Sequence, residues 1–172
     1  MPATTRIAGA DAPPRAGDRI LPFTRFVLAF ELIVLAPPLL ALALAPDDTD
    51  RWFAWTIAKP ITAAFLGAAF VAALIMSFGA LRAAEWRTAR ARLLGGSLVT
   101  SLLLVITLRD LGPMHFREGP FTARAAAWIW LVDYLVLPVL NIGAVVLQWR
   151  AGPGRPADRR PLLGWTRAVF LV

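Results

Sequence analysis

The sequence predicts an all-α fold: a membrane-embedded four-helix bundle whose spans run up and down, antiparallel to their neighbours. Three observations predict it. Hydrophobic residues make up 58% of the 172 and charged residues only 17%, whereas a soluble domain is nearer half apolar and a quarter charged. The excess is gathered into four runs, at about 26–45, 61–81, 93–108 and 125–149, each close to the ~20 helical residues that cross a hydrocarbon core. The loops between them carry basic residues unequally. Alternation places the N-terminal segment, residues 82–92 and the tail on one side, with 13 of the 18 basic residues, and the other two loops hold five. Because cytoplasmic loops carry the excess of Lys and Arg, both termini and residues 82–92 are expected in the cytoplasm, in the inner or plasma membrane.

Residues 1–19 are polar, rich in Pro, Gly and Ala, and are expected to be a disordered basic cytoplasmic segment. Residues 20–149 form the transmembrane domain. The first run, Phe26 to Ala45, ends in Ala41-Leu-Ala43-Leu-Ala45, which has the small residues of a signal cleavage site. It is longer than a signal core of ~7–15 residues, and Pro46 follows, so an uncleaved helix is expected. Trp52 and Trp55 then mark a water–lipid interface, and Pro60 suits the first turn of the second helix. In that helix Ala64, Ala68 and Ala72, with Gly67 alongside, predict close helix packing. The third run opens on Gly95-Gly96 and carries Ser97 and Ser101 one turn apart. Arg92 and its neighbours are read as snorkelling from its end. Residues 109–124 are turn-rich, and Trp128, Trp130 and Trp149 bracket the fourth run. The tail, 150–172, ends in a short apolar segment, read as interfacial and anchored by Trp165 and Arg167.

That tail also aligns without gaps on the start of the first span. Leu21, Thr24, Arg25 and Val27 are repeated as Leu163, Thr166, Arg167 and Val169, and Phe23 faces Trp165. On this reading the apolar segment is a truncated fifth span, and the chain is the first half of a duplicated eight-helix protein.

Composition also narrows function. There is no cysteine, which excludes disulfides and thiolate metal sites. His115 is the single histidine; no metal site and no cofactor are expected, and a surface position is expected for it. The net charge of +7 would suggest nucleic acid in a soluble protein. Here the arginines flank apolar runs, so the partners expected are the lipid bilayer and anionic head groups at the cytoplasmic face, with no nucleic acid. A homodimer or a larger membrane complex is the expected assembly. The sequence contains no Ser/His/Asp set, phosphate loop or cofactor attachment motif, so no enzyme activity and no catalytic residue are expected.

Two carboxylates lie within spans, Glu31 and Asp133. Each costs at least ~2.5 kcal/mol at a helix centre and normally faces the bundle or water. At 1.5 Å per residue, Glu31 sits roughly 8 Å from the inner boundary and Asp133 roughly 10 Å from the outer one, so they are not a dyad. Asn141 and Ser97 fall near the depth of Glu31, which predicts an inner polar layer of Glu31, Ser97 and Asn141. Arg25 is off the spacing that would pair it with Glu31, while Arg109, Arg124 or Lys59 are candidates to neutralise Asp133. Pro37, Pro38 and Pro138 are expected to bend the two acidic helices, freeing the carbonyls of Ile33, Val34 and Tyr134. Such bent helices beside a carboxylate occur at transporter sites.

The stretch Trp52-Phe-Ala-Trp55, Lys59-Pro60-Ile61-Thr62-Ala63 and Gly67-Ala68 resembles a pattern of uncharacterised multi-pass membrane proteins of actinobacteria. The Pro60-x-Thr62-Ala63 core and Gly67-Ala68 match, while Lys59 and Ala64 stand where that pattern has Thr and Arg. The resemblance covers residues 52–92 and implies membrane placement, with a second copy of the unit in the chain and no particular chemistry. Two functions follow as expectations: a non-catalytic accessory or scaffold component, or half of a transporter or proton-coupled protein using Glu31 and Asp133.

Overall fold

The computed structural model describes residues 19–152. The N-terminal segment to residue 18 and residues 153–172, including the apolar segment that repeats the start of the first span, lie outside the described residues. Four long helices, α1 (Pro22–Leu44), α3 (Pro60–Arg82), α4 (Trp86–Arg109) and α5 (Phe121–Arg150), and the one-turn α2 (Thr49–Trp52) make up the fold. Among the described residues there is no strand, only two isolated bridges, Arg19 with Glu85 and Trp55 with Met114. All four long helices are long and apolar enough to cross a membrane. The protein is an all-α four-helix bundle.

Each helix begins a few residues before its apolar run or ends beyond it. Pro22 and Pro60 occupy the first turns of α1 and α3, where a missing N–H costs nothing. The helix α4 starts at Trp86 and carries Arg87, Arg90 and Arg92 inside its helical turns. Residues 46–60 are not all loop, because Thr49–Trp52 wind one turn, with the Thr49 hydroxyl accepting the backbone N–H of Ile57 at 2.9 Å. The helices continue through Pro37, Pro38 and Pro138 without a break.

Around the bundle the order is α3, α1, α5, α4. The most extensive contacts join α1 to α3 and α4 to α5, and the first half of α1 meets the last half of α5, with Glu31 against Asn141 and Thr24 against Gln148. At the α1–α3 crossing, a Cβ on Gly67 would lie 3.3 Å from the backbone of Leu42 and Ala43. The packing face of α3 is thus Ala63, Gly67, Phe70 and Ser77, all buried. Ala64, Ala68 and Ala72, expected to be that face, are exposed. Backbones meet where Gly67 removes the Cβ, and that turns the alanine stripe outward. Outward-facing residues are apolar as well: Ile61 and Phe65 are 76% and 78% exposed, a surface that lipid, not water, solvates.

Loose packing between the sequential helices α3 and α4 leaves a cavity of about 680 Å³, with Glu31 and Arg92 at one end and Asp110 and Met114 at the other. At the end that carries the 53–55 segment Trp130 is a hub. Its ring lies 5.4 Å from Phe53, 4.9 Å from Trp55, 6.1 Å from Phe70 and 4.6 Å from Tyr134, and its indole N–H donates to the Thr107 hydroxyl at 3.1 Å. Trp130, read as bracketing the fourth run, is buried in the bundle, and so is Trp86 at the start of α4, because loop residues 53–55 fold over the first and the α1 entry segment packs beside the second. His115, expected at the surface, is half-buried. Its ring lies 3.1 Å from Thr56 Oγ1 and its backbone N–H donates to the Ala54 carbonyl at 2.9 Å, so it ties the α1–α3 and α4–α5 loops together.

Candidate functional site

Each long helix places one polar side chain at a common point. On α1 the buried positions Thr24, Val27, Leu28 and Glu31 recur every three or four residues, so Glu31 faces inward with its neighbours. The α5 face repeats Ala127, Trp130, Tyr134, Leu137, Asn141, Ala144 and Gln148 in the same way, which brings Asn141 opposite Glu31. Ser77 arrives from α3, and Arg92 from the first turns of α4.

The contacts form one network. Glu31 Oε2 accepts from Arg92 Nη2 at 2.9 Å and from the Ser77 hydroxyl at 3.0 Å. Glu31 Oε1 accepts from Asn141 Nδ2 at 2.9 Å, and that amide also donates to the Leu137 carbonyl at 3.1 Å. Arg92 Nε donates to Ser77 Oγ at 2.9 Å. The Glu31 side chain is 2% exposed and that of Arg92 12%, so this is a desolvated ion pair. A carboxylate in such surroundings is retained only when its charge and both its oxygens are matched. Here both are. The Asn141 Oδ1 is the one buried side-chain polar atom without a partner among the described residues.

Gly96 makes the arrangement possible. A Cβ there would collide with the Arg92 guanidinium and sit 3.5 Å from Asn141 Oδ1. Gly96→Ala is therefore expected to destabilise the purified protein by roughly 1–3 kcal/mol, read as a fall in melting temperature. Helix propensity alone predicts the opposite sign, so an unchanged or raised melting temperature would show that the guanidinium has another seat.

The inner polar layer expected from sequence is thus corrected in one member. Glu31 and Asn141 are together. Ser97 is not with them: its hydroxyl donates to the Leu93 carbonyl of its own helix at 2.8 Å, the local bond that serine commonly makes in a helix. Ser77 takes its place, and Arg92, read as snorkelling, points inward instead. Arg25 stays away from Glu31, donating to the Ala83 carbonyl at 3.4 Å. A second polar tie lies nearer the end that carries the 83–85 turn. Gln148 accepts the Leu21 N–H at 3.1 Å and the Thr24 hydroxyl at 3.4 Å, and donates to the Arg19 carbonyl at 2.8 Å. Gln148 lies seven residues after Asn141 on the same stripe, and that spacing is the signal by which sequence reasoning would find it. Glu85 pairs within its own turn with Arg87 at 2.7 Å, at an exposed site where such a pair contributes little.

Asp133 lies off the α5 packing stripe and is half-buried. Among the described residues it has no ion pair, so Lys59, Arg109 and Arg124 do not neutralise it, and it has no hydrogen bond partner. It lines a separate cavity of about 460 Å³ with Pro37, Pro38, Trp52, Phe53, Phe121 and Trp130. Asn141, the α5 member of the Glu31 network, lies eight residues on from Asp133, about 12 Å along the helix. Among the described residues no group of three or more His, Asp or Glu is placed to hold a metal ion.

Fold and site together define a class: a four-span, all-α membrane protein with a buried, helix-bridging ion pair. Comparison with protein-family models, with curated proteins and with solved structures finds no match in any of the three.

Proposed function

We propose that the protein is a non-catalytic accessory or scaffold component of a cell membrane, with the 82–86 turn on the cytoplasmic side, and that Glu31 serves the bundle rather than a proton path. One observation carries the reading. Both carboxylate oxygens of Glu31 accept from the bundle, from Arg92, Ser77 and Asn141, one donor from each of the other long helices. A relay carboxylate needs a second position for its proton, whereas a structural one is satisfied by fixed donors. Support for the side comes from the unequal distribution of basic residues. Anionic head groups and a further membrane subunit or second copy are the partners this reading implies.

The second reading, half of a transporter or proton-coupled protein, is favoured by Asp133, which unlike Glu31 has no partner among the described residues. Glu31→Gln tests the first. On a structural role the folded yield and melting temperature fall, and reconstituted vesicles show the same proton permeability with either protein. Unchanged folded yield together with a lost proton flux would overturn it. The side is tested separately on the cysteine-free chain. A cysteine replacing Asp48 is expected to react with an impermeant maleimide in intact cells and one replacing Glu85 is not; the reverse pattern would invert the orientation.

A further inference from the structure

We infer that the cavity around Asp133 is a binding site for a monovalent, lipophilic organic cation. This goes beyond the accessory reading, which stands whether or not a cation binds. The starting point is the contrast between the two intramembrane carboxylates. Glu31 also lines a cavity, but its oxygens accept from donors on three helices. Asp133 has none among the described residues, and its oxygens are not sealed off, since it lines the 460 Å³ cavity. An ionised carboxylate within a membrane span needs a counter-charge, and the protein's described residues do not supply one.

The walls decide which cation. Mg²⁺ or Ca²⁺ requires six or more oxygen ligands, and a small hydrated ion of any charge needs polar groups to replace its water. This cavity offers one carboxylate and one hydroxyl, that of Thr122, which already donates to the Arg51 carbonyl, among Pro37, Pro38, Trp52, Phe121 and Trp130. Carbon walls and aromatic rings suit a cation whose charge is wrapped in hydrocarbon. Such a guest needs only the opposite charge, apolar contact and ring faces. The volume lies in the range of small-molecule sites. The approach is open, because Trp52 is 50% and Phe121 77% exposed at the rim, so a guest dissolved in the outer part of the bilayer reaches Asp133 without unpacking the bundle.

The test is equilibrium binding of radiolabelled tetraphenylphosphonium to the purified full chain in detergent, with tetraphenylborate as the probe of equal shape and opposite charge. Saturable binding of one tetraphenylphosphonium per chain is expected, with no saturable binding of tetraphenylborate and no competition by Na⁺. Asp133→Asn, nearly isosteric at a half-buried position, is expected to weaken binding by at least about tenfold while leaving the melting temperature in place. Phe121→Ala removes an exposed ring and is expected to weaken it about threefold. Equal binding by Asp133→Asn, uptake that rises without saturation, or saturable uptake of tetraphenylborate would each overturn the inference. So would a dimer that dissociates on Asp133→Asn substitution and binds no cation, since the counter-charge would then come from a second copy.

Discussion

Replacing Arg92 by glutamine is expected to destabilise the bundle by about 3–5 kcal/mol, the cost of leaving a buried charge without its partner. Glu31 would remain 2% exposed with only Ser77 and Asn141 beside it. Two hydrogen bonds do not replace a counter-charge at that depth. The measurement is reversible unfolding of the purified protein in lipid bicelles. The neighbouring substitutions are expected to rank below it. Arg92→Lys keeps the charge but has a single ammonium where the guanidinium's separate nitrogens reach Glu31 and Ser77, so an intermediate loss is expected. Ser77→Ala removes a neutral hydroxyl that donates to Glu31 and accepts from Arg92 and is expected to cost about 1–3 kcal/mol. If Arg92→Gln proved as mild as Ser77→Ala, the ion pair would be incidental to folding.

Trp130→Ala is the second large effect, expected at about 2–4 kcal/mol, the lower part of the range for removing a large buried ring. The reduction has a reason. Unfolding in a bilayer moves a side chain from protein to lipid, not to water, so the transfer contribution shrinks while the packing contribution stays. At Trp130 that packing is large: four rings meet it, from the 53–55 segment, α3 and α5. Its loss also strips the Thr107 hydroxyl of its donor. Trp128, two residues away and 55% exposed, is the control, with an expected change within about 0.5 kcal/mol. Unfolding in bicelles reads both, and the emission of Trp55 is expected to change only with Trp130→Ala. Equal effects at the two positions would mean that Trp130 acts as an interfacial anchor and not as a core residue.

The spans were legible in the sequence because length and hydropathy are properties of single helices. Their faces were less so. In a soluble protein the lipid-facing side of α3 would be polar and would mark the buried side by contrast. Here Ile61 and Phe65 outside are as apolar as Phe70 inside, and the Ala64, Ala68, Ala72 stripe was as good a packing candidate as the true one through Gly67. Polar residues restored the contrast where they occurred. Glu31 and Asn141 were legible as members of one layer, since depth follows from residue count and only the interior tolerates them. Ser77 was not, because serine satisfies its own helix as readily as a neighbour; Ser97, expected in that layer, does the former. Arg92 was read by its neighbours. Among Arg82, Arg87 and Arg90 it belongs to a basic turn, and what distinguishes it is the buried pairing of its guanidinium with Glu31 and Ser77. No pattern within α4 encodes that, because the partners lie on other helices.

The most direct test of a bundle closed by its polar network is the coupling between Glu31 and Arg92, measured with Glu31→Gln, Arg92→Gln and the double substitution by unfolding in bicelles. The predicted result is strong non-additivity: the double variant is more stable than the sum of the single losses implies by about 2–3 kcal/mol, because removing both charges leaves neither one stranded. Single effects that add to within about 0.5 kcal/mol would contradict it, and would mean that the two side chains do not hold the four spans together.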